Sequence, residues 1–258
     1  MSRISYASLV SKIEQIVASE VFGNYPSNWD EIYITRCLIK GIKKNLDNLT
    51  VTGFKKNLNV CWDAFRYAGY DVSRYSDIAI LVKIMHKDNS SIEGVAIVET
   101  RKRTNKKLTF DGIKWNQIGK LLRNTPYSQL LLYDYEDIRS FSSNLSMRVQ
   151  SYRPSYWREQ MLVSPYTYAV VTPTNIAMDI KINDSGLYNF SLPFANQLVF
   201  RYLHGFDLEF SAKAIAYALG NQNKLGFANT LLCLYVIEEG AQEVQKAELN
   251  NEVWTPLE

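Results

Sequence analysis

Hydrophobic positions first recur at helical spacing near the start of the chain. Ile4, Leu9, Ile13, Ile16 and Val17 fall close to one face, which predicts an amphipathic helix over residues 5–20. After the punctuation from Gly23 to Pro26, Ser27 or Asn28 is placed to cap a second helix. Its apolar positions Ile32, Ile34, Leu38, Ile39 and Ile42 share a broad face through Lys44, with Asp30 and Glu31 in the first turn. From Val51 to Tyr70 the pattern is weak, and residues 59–67 read as a short helix or an insertion. The aliphatic runs 76–84 and 94–101, joined by the polar loop 86–91, predict two buried strands in an antiparallel hairpin. Residues 112–123 return to helical spacing until Asn124-Thr125-Pro126, and Gln129 to Tyr133 reads as a further strand.

Past Tyr135 the chain turns to Ser, Asn, Arg and aromatic residues as far as Trp157, which read as a connection with marginal helix near 138–149. Strands are expected at 166–172 and 176–182, then a turn at Asn183-Asp184-Ser185-Gly186 and another strand at 187–192. Helices are expected at 194–203, 211–218 and 226–239. This divides the chain into a core domain over 1–150 and a C-terminal α+β lobe of β-hairpin and helices over 151–258, either separate or packed as one unit with the core. Paired core helices explain residues 212–234 better than a helix-turn-helix does.

Composition narrows the possibilities. With 258 residues, 47% of them hydrophobic, the chain can bury a core without cross-links. Cys37, Cys61 and Cys233 are far apart and form no Cys-x-x-Cys pair, so a zinc or redox site is not expected and a reducing, cytoplasmic compartment is. The charged opening segment does not read as a signal peptide, and no apolar run is long enough to cross a bilayer, so no membrane partner is expected. The sequence has neither a glycine-rich phosphate loop nor a Gly-x-Ser-x-Gly elbow, and His86 and His204 stand alone. A net charge of +3 suits a polyanionic partner. Basic residues concentrate at Lys40, Lys43, Lys44, Lys55 and Lys56, and again at Arg101, Lys102, Arg103, Lys106 and Lys107.

The second basic run matters because of its neighbours. Phosphodiester cleavage calls for divalent metal held by carboxylates, with a cation near the attacking water. Asp77 opens the first strand of the hairpin and Glu99-Thr100-Arg101 closes the second, so alternation sets Glu99 and Arg101 on one face. This pattern resembles the PD-(D/E)xK nuclease signature. Glu31 matches the acidic residue that such families often carry on a preceding helix, Gln117 the polar residue on the helix after the signature strand, and Gln129 to Tyr133 the next core strand. The resemblance implies an α/β, restriction-endonuclease-like core, a mixed sheet flanked by helices. It further implies Mg²⁺ or Mn²⁺ held by Asp77 and Glu99 with help from Glu31, and a nucleic-acid substrate, DNA rather than RNA, in a defence or repair setting. Arg103, Lys106, Lys107 and Lys114 would then grip phosphates, and the Tyr152 to Arg158 segment is a candidate for base stacking. A homodimer or a larger effector complex fits the same family.

One departure bears on activity. Arg101 stands where the family has lysine, and Lys102 points to the opposite face unless the strand bulges. Arginine binds phosphate but does not readily release a proton. Three arrangements stay open: Arg101 supplies the electrostatics, Lys102 or Lys114 enters the site, or catalysis is lost and binding retained. The first two give a metal-dependent endonuclease, the third a degenerate nuclease-fold subunit that binds nucleic acid or joins an effector complex.

Overall fold

The computed structural model describes residues 2–53, 56–69, 76–104, 108–110, 112–138, 166–221 and 227–257. In chain order the elements are β1 (Ser2–Ser5), α1 (Tyr6–Glu20), α2 (Glu31–Leu46), β2 (Leu49–Thr52), β3 (Leu58–Tyr67), β4 (Ser76–Met85), β5 (Ser91–Lys102), α3 (Trp115–Asn124) and β6 (Gln129–Tyr133). They continue with β7 (Ala169–Pro173), α4 (Thr174–Ile180), β8 (Leu192–Pro193), α5 (Phe194–Phe200), α6 (Ala212–Leu219), β9 (Ala228–Glu238) and β10 (Trp254–Pro256).

Among the described residues the ten strands join one mixed sheet in the order β1-β2-β3-β9-β4-β5-β6-β7-β8, with β10 added to the far end of β3. The hairpin read from the sequence is present, β4 and β5 pairing antiparallel from Ile78 opposite Val98 to Met85 opposite Ser91. β6 then lies parallel to β5, as a helical crossover requires.

Strand alternation divides the core between two faces. Ile78, Ile80 and Val82 of β4, with Ala96 and Val98 of β5, pack under α1, α2 and α5. Ala79, Leu81, Val95 and Ile97 face the other way, beneath α6 and Trp254. Leu130, Leu132 and Val170 extend that second face under α3 and α4. α1 and α2 approach so closely that a Cβ at Gly41 would lie 2.9 Å from the Ile16 side chain. Because β4 and β9 are covered on both faces, they are apolar nearly throughout.

Several elements differ from the sequence expectation. The cap of α2 is Asp30, which accepts from the Tyr33 N–H at 3.0 Å, rather than Ser27 or Asn28. Residues 59–67 are strand, and the alternation of buried and half-buried positions from Leu58 to Phe65 is the period-2 signal that marks it. Residues 176–182 are mostly the helix α4, and residues 187–192 are largely a 3-10 turn (Ser185–Phe190) leading into the two-residue β8. The largest correction concerns residues 226–239. The segment from Ala228 to Glu238 is no helix but the central strand β9, antiparallel to β3 and parallel to β4. A helix-turn-helix at 212–234 is thereby excluded. So is a C-terminal lobe of β-hairpin and helices alone, because β7 to β10 all belong to the one sheet. Of the connection expected past Tyr135 as far as Trp157, residues 139–157 lie outside the described residues, and with them nearly all of the marginal helix expected near 138–149.

Candidate functional site

The elements that carry the sequence-predicted acids meet at one end of the sheet, where β4 and β9 begin, β5 ends and α2 starts. Register extended by one step from Ile78 opposite Val98 sets Asp77 beside Glu99. Both, with Arg101, lie on the face of the sheet that carries α3 and α6. The Arg101 guanidinium donates to Glu99 Oε1 through Nη2 at 2.8 Å, and its Nη1 lies 3.6 Å from Asp77 Oδ2. Nη1 also donates to the Thr100 carbonyl. Asp77 is held in turn by its neighbours: Oδ2 accepts from the Thr100 N–H at 2.8 Å and the Thr100 hydroxyl at 3.0 Å, and Oδ1 from the Asn229 amide at 3.0 Å.

Glu31 reaches the same end of the sheet from the opposite face, its carboxylate accepting from the Lys102 N–H at 3.0 Å. Burial raises its pKa, and the charges of Arg101 and Asp77 act on it. Burial, followed by the charge of Asp77, pushes Glu99 up to about 7 despite its arginine partner. Glu99 and Arg101 are each only 6% exposed, so their pairing is one of desolvated charges rather than of a surface ion pair.

The other candidates go elsewhere. Lys102 turns away from the carboxylate face, as strand alternation requires, and its ammonium donates to the Trp29 carbonyl. Arg103 turns toward two carboxylates instead. Its guanidinium is buried against Asp134 at 2.8 Å and Glu136 at 2.9 Å, and it lies over the Tyr135 ring. Gln117 is exposed on α3, and none of its described hydrogen bonds reaches the carboxylates. Lys114 is exposed at the start of α3. Lys106, Lys107 and the Tyr152 to Arg158 segment lie outside the described residues.

Thr100 and Asn229 complete the site although the sequence did not single them out. Thr100 lies between the ionisable Glu99 and Arg101 and carries no charge to mark it. Asn229 carries no local signal, because its position beside Asp77 exists only once β9 has entered the sheet.

A divalent cation between Asp77 and Glu99 does not fit this arrangement. The guanidinium already bridges the two carboxylates, and both Asp77 oxygens accept hydrogen bonds from Thr100 and Asn229. Among the described residues, no group of three or more His, Cys, Asp or Glu side chains is arranged to hold a metal. No described helix is long and apolar enough to cross a membrane. Comparison with known protein families, with curated proteins and with solved structures finds no match for the chain.

Proposed function

We propose that this protein is a restriction-endonuclease-like module that binds nucleic acid, DNA in the first instance, without cutting it. The observation that carries this reading is Arg101, which closes on Glu99 and faces Asp77 where a catalytic metal would have to enter. A guanidinium keeps its charge at any working pH, so it stands as a fixed counter-ion between the two carboxylates and cannot pass a proton to or from an attacking water. Convergence of Glu31, Asp77 and Glu99 on one end of a β-hairpin supports the kinship with nucleases. The lock supports loss of the chemistry.

Metal-dependent cleavage is the competing reading, favoured by two acids on one guanidinium with Glu31 reaching the same end of the sheet from the other face. The deciding experiment incubates plasmid, linear and single-stranded DNA and RNA with the protein in Mg²⁺ or Mn²⁺, beside Glu99→Ala and Asp77→Ala, with binding measured on the same preparations. The expected result is binding without cutting by all three. Metal-dependent cutting by the native protein, lost in both variants, would restore the nuclease. Absence of binding to every substrate would remove the nucleic-acid role altogether.

A further inference from the structure

α3 stands on the face of the sheet that bears Asp77, Glu99 and Arg101, and its outer side is unusual in composition. Ile118 and Leu121 are buried beneath it, while Asn116, Gln117, Lys120, Arg123 and Asn124 are exposed along one stripe. At 100° per residue those five positions fall within roughly a third of the helix circumference. Lys213 of α6 donates to the Asn124 side chain at 3.3 Å, which joins the first turn of the second helix to this stripe. Neither α3 nor α6 contains an acidic residue.

Two of these cations stand where helix physics disfavours them. Lys114 occupies the N-cap of α3 and makes no capping hydrogen bond there. Lys213 lies in the first turn of α6. The backbone dipole makes each helix start partially positive, so acidic or small polar residues are preferred and a cation adds repulsion. A choice that opposes local stability at two neighbouring helix starts points to a use outside the fold. An anion lying across both would reverse the sign of the effect, since the cations and the dipoles would then act together.

We infer that α3, with the start of α6, is the surface on which this protein receives the phosphate backbone of a nucleic acid. This inference rests on the reading proposed above and names the surface that performs it. From Lys114 to Arg123 the helix rises about 13.5 Å, which spans about four phosphate steps along one strand of a duplex at ~3.4 Å each. The amides of Asn116 and Gln117 interleave with the cations as further phosphate and sugar partners, while the Asn124 side chain, donating to the Lys120 carbonyl and accepting from Lys213, holds the two helices together. None of these contacts reads a base, so binding through this surface is insensitive to sequence and strongly weakened by salt.

The test measures binding of the full chain to a labelled DNA duplex across a salt series. Three altered proteins are compared with the native one. The first is Lys120→Gln with Arg123→Gln on α3. The second is Lys114→Asp. The third is Lys40→Glu with Lys44→Glu, which reverses two exposed charges on α2, across the sheet. Loss of two phosphate contacts is expected to weaken binding by about tenfold or more and to lower the log–log salt slope by about 2. Lys114→Asp is expected to weaken binding while raising the thermal midpoint, because it supplies the missing cap. The α2 pair is expected to stay within about twofold of native affinity.

Native binding with the α3 variants unaffected would overturn this surface and leave the binding function standing. A loss from the α2 pair as large as that from the α3 pair, or larger, would overturn it too, because the α2 pair shifts the net charge by four against two and the effect would then be one of net charge alone. Failure of the native chain to bind any nucleic acid would overturn both. Binding to phosphatidylserine vesicles in place of nucleic acid, abolished by the α3 variants, would reassign the surface to a membrane and likewise overturn the inference.

Discussion

Single residues decide how charge is handled in this molecule. Arg101 takes the part of a fixed counter-ion, and the strand period alone put it on the face of Glu99. Among the described residues Glu14 has no such counter-ion, only a hydrogen bond with the Thr167 side chain. It lies on the buried side of α1, 6% exposed, with Oε2 unpaired, and burial pushes its pKa up to about 8. The sign follows from linkage. A carboxyl whose folded pKa is raised binds more protons folded than unfolded, so stability is full below pH ~4.5, falls as pH rises and levels off above pH ~8. Glu14→Gln is expected to flatten that fall and to stabilise the protein at pH 8 by roughly 2–4 kcal/mol. Denaturant melts at pH 5.5 and pH 8 would check this; parallel curves for the two proteins would rule out Glu14 as the source.

At the scale of elements, β9 decides the architecture. It supplies hydrogen bonds to β3 on one side and β4 on the other, and Leu231, Leu232, Cys233 and Leu234 contribute to the cores on both faces. Without it, β3 and β4 would each present an unpaired, apolar edge. A chain ended after residue 226 is therefore expected to be aggregated or molten, with its near-ultraviolet circular dichroism lost. If residues 151–258 were an independent lobe, the same truncation would leave the hairpin domain folded and cooperative. A well-dispersed spectrum from the shortened chain would show the central strand to be dispensable.

At the scale of the whole molecule, one sheet runs through both halves of the sequence, so neither half closes a core by itself. Unfolding is expected to be a single transition, with coincident midpoints for tryptophan fluorescence and far-ultraviolet circular dichroism. Trp29 and Trp62 report the face under α1 and α2, and Trp254 reports the opposite one. Separate transitions for variants keeping only Trp62 or only Trp254 would mean that the two faces melt independently.

Local order alone determined a good part of this protein. The α1 and α2 helices, the β4–β5 hairpin, α3 and β6 were legible because one face of each is apolar at a fixed period, or because a short β-branched run is bounded by polar loops. The acids and Arg101 were legible for the same reason, since alternation fixes which residues share a face. The strand β9 was not. A run buried on both faces has no periodicity, so Ala228 to Glu238 suits a buried helix as well as a central strand, and only the gap between β3 and β4 selects the strand. The tertiary structure likewise decided that Arg103 pairs inward with Asp134, and that Asn229 helps to hold Asp77. Both contacts join residues distant in sequence, and no local pattern encodes which side chain arrives across such a gap.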